Sequence, residues 1–293
     1  MGNEKNQLNC FFVSDLHGNI ERYKKLFLLI IEEQPDALFL GGDLLPSPLM
    51  TLTSKSYYFH DFISSFLTIE LKKIKDKLGN SYPDIFLILG NDDGKMDEEI
   101  ILNFEKEKIW TYCHNRHLVW KNFDVFGYNY VPPSPFRLKD WERYDVSRYV
   151  DPGCIAPMDG DLSVPVSEYE LEYATIADDL NKMTANLDLS RSIFLFHSPP
   201  YKCKLDRAAL DGKMIDYAPL DVHVGSIAIQ RFIEEKQPLI TLHGHIHEST
   251  KITGAWRDKF VYTESFNAAH EGSELSLIRF NPYFPQNAIR ELI

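Results

Sequence analysis

Four cysteines in 293 residues, Cys10, Cys113, Cys154 and Cys203, are too few and too widely spaced for a disulfide framework. No CxxC pair occurs, so a zinc finger is not indicated and a reducing compartment is the simplest reading. Positive charge is also scarce. Lys and Arg total 31 against 43 Asp and Glu, a formal charge of −12. That balance argues against a broad nucleic-acid surface or an anionic-membrane surface. Long apolar runs are missing too, and Leu26 to Ile31 is far too short to span a membrane. Met1 to Asn9 is polar and has no apolar signal region. Position 6 is Asn, where a myristoylation signal wants Ser or Thr. These absences lead to the expectation of a soluble, cytoplasmic protein with no membrane partner. There is no Gly-x-Ser-x-Gly elbow, no P-loop and no Gly-x-Gly-x-x-Gly. Repeats and low-complexity tracts are lacking as well.

What is present is an ordinary globular composition, 44% apolar, 13% aromatic and 25% charged, on a chain long enough to bury a large core. Apolar runs alternate with helical spacing. Strands are expected at Cys10 to Val13, Ala37 to Leu40, Asp84 to Leu89, His117 to Trp120, Asp124 to Tyr128, Ser192 to Phe196, Leu239 to Leu242, Phe260 to Glu264 and Leu275 to Phe280. Helices are expected at Asn19 to Glu33, Phe59 to Leu78, Asp97 to Glu107, Glu168 to Leu187 and Val224 to Glu235. Residues 46–56, rich in Pro, Ser and Thr, read as a loop. The alternation argues an α/β sheet core. Residues 131–166 carry Pro132, Pro133, Pro135, Pro152, Pro157 and Pro165 and read as an insertion or lid within one domain over 1–293. Its aromatics either cover a substrate or pack a local subcore or a dimer contact.

The ends of these apolar runs carry the chemistry. They read Ser14-Asp15-Leu16-His17-Gly18-Asn19, Gly41-Gly42-Asp43, Gly90-Asn91-Asp92-Asp93, His197 in Phe196-His197-Ser198-Pro199-Pro200, and Gly244-His245-Ile246-His247. In open α/β sheets ligands bind beyond the carboxyl ends of strands, so the scattered motifs should converge. Asp15 and His17 are two apart, and in a strand they would point the same way. A carboxylate has two oxygens, so Asp43 can bridge two cations. Asn91 offers an amide oxygen, and His197, His245 and His247 offer imidazoles. Mixed nitrogen and oxygen donors suit Mn, Fe, Zn or Co better than Ca. A pair of divalent metals can activate a shared water and clamp phosphate oxygens, with no nucleophilic side chain needed.

The chain resembles the calcineurin-like metallophosphoesterase superfamily, whose motifs run Asp-x-His, Gly-Asp, Gly-Asn-His-Asp/Glu, His and Gly-His-x-His in this order. The resemblance extends from Ser14 to His247. It implies a four-layer α/β/β/α β-sandwich flanked by helices, with mixed strands. It implies that Asp15, His17 and His247 bind one metal, that Asn91, His197 and His245 bind the other, and that Asp43 bridges. It also implies hydrolysis of a phosphoester by a metal-bridging hydroxide, with a phosphodiester favoured over a monoester and a small molecule or nucleotide as the substrate.

One position departs from the pattern. Asp92 stands where the family has the His expected to donate a proton or contact phosphate. Beside two dications an Asp should be more acidic than usual and a poor general acid. General-acid help is worth about 10²–10⁴ in rate, so alkoxide leaving groups should turn over weakly. Asp92 is therefore carried with Asp43 and Asn91 as a catalytic candidate, or else as a support for the ligands. His223, His270, Tyr130 and Tyr201 are substitute proton donors by residue type. Asn19 either contacts phosphate or caps the helix after it, and His223 either lines the site or belongs to a capping loop. His60, His114 and His117 look incidental. Two other readings stay open: a non-catalytic metal-binding scaffold of the same fold, and a nuclease, which the acidic charge disfavours.

Overall fold

A computed structural model describes residues 7–47 and 61–293. The strands are β1 (Cys10–Val13), β2 (Ala37–Gly41), β3 (Asp84–Ile88), β4 (Thr111–Tyr112), β5 (Arg116–Trp120), β6 (Phe123–Tyr128) and β7 (Ser192–Phe196). They continue as β8 (Met214–Ile215), β9 (Ala218–Pro219), β10 (Ile240–His243), β11 (Arg257–Phe260), β12 (Thr263–Asn267), β13 (Ser276–Phe280) and β14 (Ile289–Leu292). The α-helices are α1 (Ile20–Glu33), α2 (Thr68–Leu78), α3 (Glu98–Glu105), α4 (Glu168–Tyr173), α5 (Ile176–Met183), α6 (Ile227–Lys236) and α7 (Ser249–Thr253).

Two six-stranded sheets form the centre, ordered β14-β13-β1-β2-β3-β4 and β11-β12-β10-β7-β6-β5. Strands β1 to β4 run parallel, as do β6, β7, β10 and β12, while β1–β13, β13–β14, β11–β12 and β5–β6 pair antiparallel. Burial on both faces explains why the strands read as unbroken apolar runs. Cys10, Phe12, Phe39, Ile88, Ile193, Leu195 and Leu242 pack between the sheets. Their neighbours Phe11, Val13, Leu38, Leu40, Phe194 and Phe196 point outward and pack with helix residues such as Tyr23, Leu71, Ile229 and Phe232. The period of two divides each strand between two cores. The result is the four-layer helix, sheet, sheet, helix arrangement that the resemblance implies, a mixed α/β fold. Among the described residues no helix is long and apolar enough to cross a membrane.

Local differences have local causes. The expected helix at Glu168 to Leu187 breaks at Ala174, which is extended. Thr175 starts α5 by accepting from Asp178 N, and the 144–145 backbone takes the amides of Ile176 and Ala177. The expected strand Phe260 to Glu264 is a hairpin corner, since Val261 is left-handed and Phe260 pairs with Thr263. Strands β4, β8, β9 and β14 fall outside the expected set; β8, β9 and β14 lie near the surface and lack a buried apolar pattern. In the second expected helix, a π turn at Ile63–Leu67 precedes α2, while Phe59 and His60 lie outside the described residues. The 46–56 loop is described only to Ser47.

Candidate metal centre

Every expected ligand follows the carboxyl end of a parallel strand. Asp15 and His17 follow β1, Asp43 follows β2, Asn91 follows β3, His197 follows β7, and His245 and His247 follow β10. Both sheets therefore deliver side chains to one end of the sandwich. One expectation needs correction. Asp15 and His17 do not share the face of a strand, because β1 stops at Val13 and both residues adopt left-handed backbone, φ 56° and 46°. They converge because the loop after β1 is zipped to the loop after β2. Asp15 N donates to Gly42 O at 3.0 Å, His17 N to Asp43 O at 2.8 Å and Gly18 N to Leu44 O at 2.9 Å.

Asp43 (φ 50°) and His245 (φ 72°) are left-handed as well. Such backbone costs about 1–3 kcal/mol per residue and persists only where the surroundings over-determine it. Here they do. Asp43 Oδ1 accepts Asp92 N at 2.8 Å, and Asp15 Oδ1 accepts His245 N at 3.0 Å. Asp93 is fully buried and ties two loops together, taking Gly90 N at 2.9 Å, Leu44 N at 3.2 Å and Leu45 N at 2.8 Å. Gly244 is required by close approach, since a Cβ there would lie 2.0 Å from Ser14 Oγ and 2.4 Å from Asp15 Oδ2.

The side chains meet as two groups. Donor atoms of Asp15, His17, Asp43 and His247 lie within 4.8 Å of one another, and so do those of Asp43, His197 and His245. Asp43 belongs to both. Its Oδ2 stands 3.2 Å from His197 Nε2 and 3.8 Å from His17 Nε2. His17 Nε2 is 3.2 Å from His247 Nε2, which is 3.1 Å from Asp15 Oδ1. Asn91 Oδ1 is buried with no hydrogen-bond partner, which is costly unless something else satisfies it, and His197 Nε2 is buried facing Asp43 Oδ2. His197 Nδ1 is held by Gly41 O at 2.8 Å, so Nε2 is the free donor. An orphaned amide oxygen and converging imidazoles beside two buried carboxylates fit a pair of divalent cations.

The calcineurin-like phosphoesterase profile matches residues 8–249. The chain belongs to this family. It is thus a metal-dependent hydrolase of phosphoesters. A solved crystal structure superposes with a TM-score of 0.57 at 15% identity, over 97% of this chain and 98% of its own. The TT1561 protein of Thermus thermophilus does so with 0.52 at 15% identity, over 97% and 98%. A dimetal phosphatase from Danio rerio aligns with 0.48 at 12% identity, over 93% and 95%. At 15% identity the likeness to the first two is one of fold. No curated protein matches the chain significantly.

Charge in the metal-free centre is balanced between ionised carboxylates and protonated imidazoles. Burial alone would raise Asp15, but the hydrogen bond and charge of His247 hold it at about 2. Burial opposes ionisation of Asp43 too, yet His197 and His17 keep it well below the usual carboxylate range. Burial disfavours a charged His17, and Asp92, Asp43 and Asp15 outweigh that and raise it to about 9. His197 is raised to about 10 against burial by Asp43 and Asp15. His245, buried and facing the His197 charge, is pushed down to about 3. Protons on His17 and His197 occupy the lone pairs that ligands need, so cation binding and proton release are coupled.

The remaining expected residues have other partners. Asn19 is exposed and its Oδ1 accepts Glu21 N and Arg22 N, both at 3.1 Å, capping α1. His223 Nδ1 pairs with Asp206 Oδ1 at 2.7 Å, and Tyr201 donates to Asp221 at 2.7 Å. His270 faces Glu274 at 3.1 Å. Tyr130 is buried against Trp141 and His114, with Arg143 over its ring at 3.9 Å.

Three supporting residues carry no assignment from the sequence. Asp93 stands within a quoted motif, and His243 directly precedes Gly244. His243 is buried, pushed down to about 3 by that burial, and bonded to Ser198 O at 2.9 Å and Thr241 Oγ1 at 2.7 Å. Arg22 donates to Asp15 O at 2.8 Å and also to Gly272 O. Nothing in a single sequence marks that role.

Proposed function

We propose that the protein hydrolyses a small phosphodiester, such as a nucleotide derivative, in preference to a phosphomonoester. The observation that carries this reading is the sharing of Asp43 between two donor groups. Asp15, His17 and His247 would hold one divalent cation, Asn91, His197 and His245 the other, and Asp43 would join them. Mn, Fe, Zn or Co suits these donors. Bound there, the cations would acidify water and neutralise charge on the phosphoryl oxygens. The chain supplies fixed orientation: Gly41 O aims His197, the His245 amide holds Asp15, and the Asp92 amide holds Asp43.

The diester preference rests on Asp92. This carboxylate, partly exposed beside His17, adds negative charge where a dianionic monoester would be repelled more than a monoanionic diester. The formal charge of −12 also disfavours a polynucleotide substrate. We read 131–166 as a cover belonging to the same domain. It is tied to the loop after Asn91 by Lys95 N donating to Asp140 Oδ2 at 2.7 Å and Met96 N to Ser163 Oγ at 3.0 Å.

The test is hydrolysis of p-nitrophenyl phosphate and bis-p-nitrophenyl phosphate by metal-free protein given Mn²⁺, with Asp43→Asn as the control. Faster diester hydrolysis, lost in the control, is expected. Faster monoester hydrolysis would refute the preference. Two bound metals with neither ester cleaved would turn the reading toward a metal-binding scaffold.

A further inference from the structure

Two of the histidine ligands are aimed through Nδ1, but by different means. For His197 the partner is the main-chain oxygen of Gly41, 2.8 Å away. For His17 the partner is a side chain: Asp92 Oδ2 lies 3.2 Å from His17 Nδ1. Asp92 Oδ1 is in turn steadied by Ser47 Oγ at 3.2 Å. On the far side of the ring, Nε2 faces His247 Nε2 at 3.2 Å and Asp43 Oδ2 at 3.8 Å. The imidazole is thus strung between a carboxylate and the point where donor atoms converge.

Resting on the metal-centre reading above, we infer that Asp92 is a positioning residue: it takes the Nδ1 proton of His17 in a hydrogen bond and so fixes the tautomer and ring orientation that present Nε2 to a cation. A neutral imidazole donates from one nitrogen and accepts with the other. A carboxylate on Nδ1 therefore decides which nitrogen keeps its lone pair, and it raises that lone pair's basicity. His17 is the ligand that needs this help. It is about one-quarter exposed and its backbone is left-handed, whereas His197 is fully buried. The Asp92 carboxylate is engaged by His17 and Ser47, while its amide separately holds Asp43 Oδ1. Position 92 thereby supports the centre twice, through its side chain at His17 and through its main chain at Asp43, which both donor groups share.

Truncating the side chain leaves the amide bond to Asp43 in place, so Asp92→Ala and Asp92→Asn separate the two contributions. Three readouts are needed. Mn²⁺ affinity is measured by titration calorimetry on metal-free protein. The tautomer of His17 is read from ¹⁵N ring shifts of the Zn²⁺-loaded protein. Diester hydrolysis is followed against Mn²⁺ concentration, with leaving groups of differing basicity.

Loss of such a supporting carboxylate typically costs about 10–100-fold in metal affinity. That loss is expected at one of the two sites for Asp92→Ala, with a smaller one for Asp92→Asn, whose amide oxygen still accepts from Nδ1. The His17 Nδ1–H signal should shift or vanish in the alanine variant, and excess Mn²⁺ should restore most of kcat. A general acid would behave differently: saturating Mn²⁺ would leave a deficit of about 10²–10⁴ that grows with leaving-group basicity, and that result would overturn the inference. So would unchanged affinity and unchanged His17 shifts in Asp92→Ala. Failure of the unsubstituted protein to bind metal would instead overturn the metal-centre reading, and this inference with it.

Discussion

Replacing Gly90 with Ala tests how tightly the centre is built. A Cβ at this position would stand 2.3 Å from Asp43 Oδ1, 2.6 Å from Asp43 N and 2.6 Å from His197 Nε2. Ordinary contact begins near 3.4 Å, so the carboxylate must retreat by about 1 Å. Neither neighbour has an easy way out. Asp43 is zipped to the β1 loop through its carbonyl, and His197 is pinned at Nδ1 by Gly41 O. Overpacking of this kind costs about 1–3 kcal/mol. A shift of about 1 Å in a reacting constellation costs about 10²-fold in rate. We expect Gly90→Ala to lower metal-saturated kcat for bis-p-nitrophenyl phosphate by about that factor, with a modest loss in urea stability. Gly94→Ala is the control from the same loop, because its Cβ would meet only the flexible ends of Asp97 at 3.1 Å and Met96 at 3.3 Å. If the two variants match in kcat and metal stoichiometry, the close-approach argument is wrong.

Other outcomes follow from the same contacts. Asp43→Asn keeps the shape but places an amide hydrogen against the imidazoles; kcat/KM should fall by about 10³, corresponding to several kcal/mol of lost metal stabilisation, and retention of both metals at near-normal rate would contradict the bridging role. Mn²⁺ at 100 times Kd should add about 2.7 kcal/mol of stability per site, measurable as a melting shift that a chelator reverses. The metal-free protein carries His17 and His197 raised, against burial, from 6.5 to about 9 and about 10 by neighbouring carboxylates. That contribution is complete below pH 6.5 and is lost as pH rises through those values, so urea midpoints of the metal-free form should fall between pH 6.5 and 10, and a rise would reverse the sign. Lys139 and Glu142 form a fully buried pair inside 131–166; Glu142→Ala strands the lysine and should cost about 3–5 kcal/mol, whereas an unchanged melt would mean that this segment is not packed into the cooperative unit.

The convergence of candidate donors was legible because each motif is short, sits at the end of an apolar run, and uses residue types that can donate to metals. Glycine placement helped, since Gly90 and Gly244 stand where no Cβ fits. The α/β alternation was equally plain from runs such as Phe11 to Val13 and Phe194 to Phe196. What the runs could not say is which sheet each strand joins: a strand buried on both faces has the same pattern in either one. The split into two sheets comes from long-range pairing, as when β1 joins β13 from the far end of the chain.

The site divides in the same way. Local sequence determined the chemistry, because metal affinity depends on donor atoms that a residue name specifies. Only tertiary structure decided the geometry. Asp15 and His17 converge through left-handed turns held by the β2 loop, not through strand alternation. Asn19 was left between two roles by its residue type, and capping α1 now occupies its Oδ1. Asp92 faces His17 from a distant part of the chain, an approach that no spacing rule contains. Hydrogen bonds between segments remote in sequence depend on how the sheets bring loops together, and that information lies in packing, not in any one motif.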